Sequence, residues 1–307
     1  MSEIKIQEIV VDDETTLEVS RYGSGKPSIL LVSGVHGNEK TGPALLRHLG
    51  DQLVSAEILG GVSLLPVASP KAYSANQRDH PDDGHDLNRC FLGGVASENS
   101  PSGKLVIAIQ QLVDQHEVVI DIHGFPHQMT PIVGVFLREG DMITRRRSGE
   151  LLRAFDPEVI WELGDQEDEA NKAGSACSYA LQRKGIPAFG FELADPEYYS
   201  EVQRNRIIRG FLRVLGKVGC IAASSPEPDH YIPRYEDRRV NRAPKAGIFI
   251  PRKRLFEAVT QGVAVGELGG DSESCRAKQD GIVLTIAPEG QLQVKQKMFA
   301  TAVPISV

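Results

Sequence analysis

The chain has 307 residues, a formal net charge of -7 and four scattered cysteines (Cys90, Cys177, Cys220 and Cys275) with no CxxC pair. Its acidity argues against a nucleic-acid partner or an anionic membrane surface. Its length allows one large domain or two unequal ones without disulfide staples, and its cysteine usage fits a reducing compartment with no structural zinc finger.

The opening, "MSEIKIQEIVVDDETT", has no basic stretch followed by an apolar core, so no secretory signal is expected. No apolar run approaches the ~20 residues needed to cross a bilayer. A cytoplasmic location follows as an expectation. Apolar runs of strand length then predict strands near Ile4–Val11, Thr16–Arg21, Ser28–Val32, Val62–Val67, Val118–Ile122, Ile132–Leu137 and Pro187–Phe191. Helical patterns between them predict helices at Thr41–Leu53, Gly103–Gln115, Ile143–Ala154, Ser175–Lys184 and Glu197–Leu215. Such alternation argues for an α/β domain, residues 1–223, whose largely parallel sheet is covered on both faces.

The composition then changes. "SSPEPDHYIPRYEDRR" (224–239) is rich in proline and charge and reads as a linker or an extended crossing segment. Beyond it the helical signal stops. Two similar passages place Gly247-Ile248 against Gly281-Ile282 and Val259 against Val294, which predicts a small all-β domain of two half-repeats within 224–307. The pattern resembles the barrel-sandwich fold of lipoyl and biotinyl domains. The joining stretch "GGDSESCRAK" lacks their Met-Lys-Met, so packing or shaping of access is expected rather than a swinging arm.

Four segments carry candidate chemistry. In "SGVHGNEKTGP" (33–43) an apolar strand gives way to His36 and Glu39 among glycines. A catalytic zinc takes three protein ligands from histidine and carboxylate side chains and keeps one position open. The pair could supply two of them, or Glu39 could simply sit at a helix N-terminus. In "VVIDIHG" (118–124) His123 follows a second buried strand, and ligands of open α/β sheets gather at the carboxyl ends of strands. The alternative is a histidine that caps its strand locally. The polar loop "NQRDHPDDGHDLNRCF" (76–91) offers Arg78, Asn88 and Arg89, which suit a carboxylate, or whose charges pair among themselves. Its His80 and His85 read as spectators and Cys90 as a packed thiol. Finally, Glu192 in "PAFGFELADPEYY" follows an apolar strand. There it would be a general base on water or one half of a salt bridge.

Taken together, "GVHGNE", "RDHPDDGHDLNR", "DIHG" and "FEL", in this order, resemble the zinc carboxypeptidase-like superfamily, and within it the aspartoacylase and succinylglutamate desuccinylase family. The resemblance implies a three-layer α/β/α zinc-carboxypeptidase-like domain with a mixed, mostly parallel sheet. It covers the α/β part, and an appended β domain also occurs in a subset of the family. It implies one zinc per chain on His36, Glu39 and His123, a carboxylate held by Asn88 and Arg89, a carbonyl polarised by Arg78, and Glu192 as general base. The tyrosine that often contacts substrate late in carboxypeptidase chains has no clear counterpart here; Tyr198, Tyr199 and Tyr231 are the candidates.

The implied activity is hydrolysis of the amide of a small N-acyl amino acid or N-acyl amine. The rivals are a metallocarboxypeptidase acting on short or cell-wall peptides, and a catalytically silent binding protein on the same fold. Retention of a metal set together with a base argues against the silent protein, and no Gly-x-Ser-x-Gly elbow supports a serine nucleophile. A small-molecule partner is expected, without nucleic acid or membrane, and a homo-oligomer is compatible with the sequence.

Overall fold

The computed structural model describes residues 4–93, 95–164, 174–222, 226 and 229–305. A hairpin of β1 (Ile4–Asp12) and β2 (Thr15–Tyr22) leads to the fully buried β3 (Ser28–Ser33), α1 (Thr41–Leu53), β4 (Gly61–Leu65) and the short α2 (Pro70–Ala75). Next come α3 (Pro101–Val113), β5 (Val118–Phe125), β6 (Val133–Leu137), α4 (Met142–Phe155) and β7 (Val159–Leu163). Helix α5 (Ala176–Tyr179) runs on as a π-helical turn to Lys184 and precedes β8 (Ala188–Ala194) and α6 (Glu201–Val218). The remainder is β9 (Arg234–Arg242), β10 (Gly247–Pro251), β11 (Ala258–Val259), β12 (Gly266–Leu268), β13 (Gly281–Ile286), β14 (Gly290–Leu292) and β15 (Lys297–Pro304).

The main sheet has the order β1-β2-β4-β3-β5-β8-β6-β7-β9-β15-β13-β11. Its centre, β4-β3-β5-β8, is parallel, and β6 runs against β8. Side chains of β3 alternate between two cores. Leu30 and Val32 pack with residues of α3 and α5, while Ile29 and Leu31 pack with α1, α4 and α6. Strands buried on both faces this way need near-continuous apolar sequence, which "SILLV" supplies. The result is the expected α/β fold with a large mixed sheet and C-terminal strands. Among the described residues no helix is long and apolar enough to cross a membrane.

Several boundaries differ from the sequence expectation, and the differences matter. Strand β5 does not stop at Ile122. His123, Gly124 and Phe125 pair in register with Glu192, Leu193 and Ala194, so both polar residues lie within strands rather than after them. Strand pairing is made by the backbone, and a polar side chain does not end it. Strand β7 escaped notice because Glu162 interrupts its apolar run. That carboxylate is buried and paired with Arg138 and Arg234. The short α2 escaped notice too.

The segment up to 239, read as a linker or an extended crossing segment, contains the start of β9 and so is extended there, pairing in parallel with β7 (Ile160 with Arg234, Trp161 with Tyr235). The expected cut at residue 223 lies outside the described residues. Gly247 and Gly281 each open a strand, as the repeat suggested. Yet β10 belongs to a three-stranded sheet with β12 and β14, whereas β13 extends the main sheet. Val259 lies in β11, but Val294 sits in a turn. Phe249, Leu268, Met298 and Phe299 fill the core of this C-terminal part. The loop after β5 is sewn into it: Met129 and Ile286 exchange backbone hydrogen bonds, and Gln128 Nε2 donates to the Lys297 carbonyl at 2.9 Å.

Candidate active site

The turn after β3 folds back on itself, the Glu39 amide donating to the His36 carbonyl at 3.2 Å. This tight path runs along the backbone of α2, and a Cβ on Gly37 would run into the Ala72 backbone. Gly37→Ala is therefore expected to destabilise the fold by about 1–3 kcal/mol and to misplace the residues on either side of it. Chemical unfolding, with metal content measured in parallel, checks this.

The turn brings His36 and Glu39 to His123 on β5. His36 Nδ1 lies 2.8 Å from Glu39 Oε1, His123 Nδ1 lies 3.1 Å from Glu39 Oε2, and the two Nδ1 atoms are 3.2 Å apart. Two imidazole nitrogens and both oxygens of a carboxylate thus converge on one small buried space. A cation fits between them, and one donor atom from each residue lies within 4.8 Å of the others. Burial would raise the Glu39 carboxyl, but His36 and His123 hold it well below the usual carboxylate range. Burial likewise disfavours a charged His123, yet Asp121 and Glu39 hold its pKa well above the usual histidine value. The cluster thus draws positive charge.

The outer nitrogens of both rings face carboxylates. His36 Nε2 lies 2.9 Å from Asp86 Oδ1, and His123 Nε2 lies 3.0 Å from Asp121 Oδ2, the latter off the line of a hydrogen bond. Carboxylates behind histidines fix the ring orientation and raise its basicity, as behind metal-bound imidazoles. The donor set therefore fits a divalent ion of the zinc kind, with His36, Glu39 and His123 able to hold it.

Asp86 also ties the loop to the cluster. It accepts from the Asn88 amide at 3.0 Å, capping a short 3-10 turn from Leu87 to Arg89, and from Arg78 Nη2 at 2.9 Å. Burial opposes its charge, but His36 and Arg78 hold the Asp86 carboxyl far below its ordinary value. Arg78 Nη1 reaches Glu39 Oε1 at 3.4 Å. The turn sets Asn88 and Arg89 side by side on the same cleft, with Asn88 Oδ1 buried and unpartnered among the described residues. Asp86→Asn is expected to weaken metal binding about 10- to 100-fold, measured by competition with a chelator.

Glu192 faces the cluster from β8, directly across from His123. Its Oε2 is buried with no hydrogen-bond partner among the described residues. Burial pushes the carboxyl up, with His123, Arg238 and Lys297 pulling against the rise and Glu39 adding to it. Thr41 Oγ1, at the start of α1, donates to the Ala194 carbonyl at 2.6 Å and anchors the end of the strand. The cleft shared by these groups has a volume near 830 Å³, a size suited to a small ligand.

All seven candidate residues line this one cleft: His36, Glu39, Arg78, Asn88, Arg89, His123 and Glu192. His80 and His85 are not among its lining residues. Cys90 is a packed thiol donating to the Asp86 carbonyl. None of the three candidate tyrosines lines the cleft either. Tyr199 is spent on structure, its hydroxyl receiving the Ala194 amide at 2.9 Å. Sequence reasoning missed Asp86, Asp121, Arg238 and Lys297. Asp86 could have been noticed as a turn cap two residues before Asn88. Arg238 and Lys297 arrive from β9 and β15, and no local signal marks them. Burial, with Arg238 beside it, pushes the Lys297 ammonium down to about 8, against the pull of Glu192 and Glu39.

A catalytic-domain model of one family, succinylglutamate desuccinylase/aspartoacylase, matches residues 25–217, and the chain belongs to that family. Among curated relatives it is similar to the N-alpha-acetyl-L-2,4-diaminobutyric acid deacetylase of Halomonas elongata, 26% identical over 86% of this chain and 78% of that one. Among solved structures it is similar to an aspartoacylase family protein of Mesorhizobium loti (TM-score 0.77, 23% identity, 100% of this chain and 96% of that one). It is also similar to the product-bound ectoine utilization protein EutE (DoeB) of Ruegeria pomeroyi (TM-score 0.77, 17% identity, 99% and 100%). At these identities the solved structures speak for the fold.

Proposed function

We propose that this chain is a zinc-dependent hydrolase that cleaves the amide bond of a small N-acyl amino acid, with His36, Glu39 and His123 as metal ligands. The observation that carries the reading is the convergence of two imidazole Nδ1 atoms and a carboxylate beside Glu192, whose Oε2 has no hydrogen-bond partner among the described residues. A divalent ion held there would polarise the scissile carbonyl and acidify water. Glu192, half-buried with Oε2 shut off from solvent and its pKa raised by desolvation, is suited to take the water proton and deliver it to the leaving amine nitrogen. Arg78 would donate to the carbonyl oxygen as charge develops on it. Arg89, supported by Asn88, would hold the α-carboxylate.

The deacetylase name of the Halomonas relative supports the acyl-amide class. We also take residues 1–223 as the catalytic unit and 224–307 as a β part that shapes the cleft, since Arg238, Arg239, Arg242 and Lys297 line it. That arrangement favours small substrates over long peptides. Cytoplasmic placement accords with four cysteines that are all free.

The test is amine release from a panel of N-acetyl and N-succinyl amino acids by the zinc-loaded protein, beside short peptides with a free carboxyl end. Release from the acyl amino acids alone is expected. Cleavage of peptides alone would move the assignment to a carboxypeptidase.

A further inference from the structure

Strand β9 changes sides partway along. Side chains of a strand alternate between the two faces of its sheet. Arg234 and Glu236 lie on the face away from the cleft, Arg234 over the Phe136 ring and Glu236 paired with Arg138. In a regular strand Arg238 would follow them. Instead, Glu236 pairs with Val303 and Arg239 with Thr301, so Asp237 and Arg238 together stand opposite the single residue Ala302 of β15. This β-bulge holds Asp237 in left-handed backbone at φ 47°, a conformation uncommon outside glycine. The extra residue turns Arg238 onto the face of Trp161, where it lines the cleft. Strained backbone of this kind gathers at functional sites because the surrounding structure must hold it in place.

The Arg238 guanidinium carbon lies 4.8 Å from the centre of the Phe125 ring and 4.2 Å from that of Trp161. Two aromatic faces on one cation fix where it stands. Phe125 is two residues past His123 on β5, and Trp161 is on β7, so Arg238 closes the cleft beside Glu192, whose carboxyl feels its charge. The sheet order β3-β5-β8-β6-β7-β9 gives His123 and Glu192 two flanks. The loop carrying Asn88 and Arg89 is tied to the β3 flank through the Asp86 contact with His36. Arg238 comes from the β9 flank. A substrate with its carboxylate at Arg89 and its amide at the cluster therefore directs its acyl group toward Arg238.

We propose that Arg238 is a specificity-determining residue that ends the acyl subsite, admitting an acetyl group and excluding a longer alkyl chain. This rests on the deacylase reading above and concerns the acyl half of the substrate. An alkyl chain extending past the scissile carbonyl would press methylenes against a guanidinium and strip its hydration. Truncation of Arg238 leaves a slot between two aromatic rings, which suits the same methylenes.

The test compares kcat/KM of the zinc-loaded full chain for the N-acetyl and N-hexanoyl forms of the best amino acid in the panel above. Wild type, Arg238→Ala and Arg238→Met are measured side by side, with zinc content. Wild type is expected to favour the acetyl form by about a hundredfold, and Arg238→Ala to raise the rate on the hexanoyl form at least about tenfold, steps that a few methylenes in a pocket account for. A gain on one substrate is a result that loss of a merely structural contact does not give. Arg238→Met keeps the length and loses the charge; it is expected to show a smaller gain, and it decides if Arg238→Ala does not fold. Equal rates on both substrates in wild type overturn the assignment, as does a folded variant with no gain on the hexanoyl form. If no N-acyl amino acid is hydrolysed, the deacylase reading fails on its own. Calorimetry of N-hexanoylalanine then decides, with Glu192→Gln and with Glu192→Gln combined with Arg238→Ala. The assignment stands if the double variant binds at least tenfold tighter, and falls if the two bind alike or neither binds.

Discussion

Replacing Glu192 by glutamine is expected to lower turnover by about 100- to 10,000-fold, the range contributed by a positioned general base. Glutamine keeps the size of the side chain and the register of β8 against His123, but it cannot take a proton from water. Metal content should be unchanged, because Glu192 is outside the proposed ligand set. The same substitution carries a stability signature. Burial raises the Glu192 carboxyl above its usual 4.5. A carboxyl with a raised folded-state pKa contributes stability that is fully present below the unfolded value and is lost as pH rises through the folded one. In the metal-free protein, Glu192→Gln is therefore expected to melt no lower than wild type near pH 4 and higher at pH 8. A variant less stable at pH 8 than at pH 4 relative to wild type would count against a buried, uncompensated carboxylate. Activity lost together with metal would recast Glu192 as a ligand.

The second large effect is loss of the ion. His36→Ala combined with His123→Ala removes two of the three donors and leaves Glu39 with neither imidazole beside it. Purified wild type is expected to hold about one zinc per chain and the double variant almost none. Binding to the folded state alone stabilises by about 2.7 kcal/mol when zinc is at a hundredfold its Kd, which is several degrees in Tm for a chain of this size. Zinc should therefore raise the melting temperature of stripped wild type by several degrees and leave the double variant where it was. Elemental analysis and a thermal melt read both. Equal zinc in the two proteins would place the ion elsewhere.

Much of the candidate site was legible in the sequence because the proposed metal ligation demands particular residue types where the sheet can present them. His36 and Glu39 sit beside glycines after an apolar strand, and His123 and Glu192 interrupt two more apolar strands. Backbone pairing carries those strands on through the polar residues, so the expected ends fell short at Ile122 and Phe191. The charges behind the histidines were not legible. Asp86 and Asp121 are two aspartates among many, and only the approach of β3, β5 and the loop before α3 assigns them to His36 and His123. The same holds for Glu162, which hid β7 because its partners Arg138 and Arg234 are remote in sequence. Lys297 is the extreme case. It enters the cleft from β15, which lies between β9 and β13 in the main sheet, far along the chain from the other cleft residues.

The most direct test of the zinc-hydrolase claim is a titration: stripped wild-type protein, zinc added in fractions of an equivalent, and amine release from an N-acetyl amino acid followed at each step. No release is expected without metal, and the rate is expected to climb linearly to a plateau near one zinc per chain. Release that is undiminished in the stripped protein, or absent at every zinc ratio across the acyl amino acid panel, would contradict it.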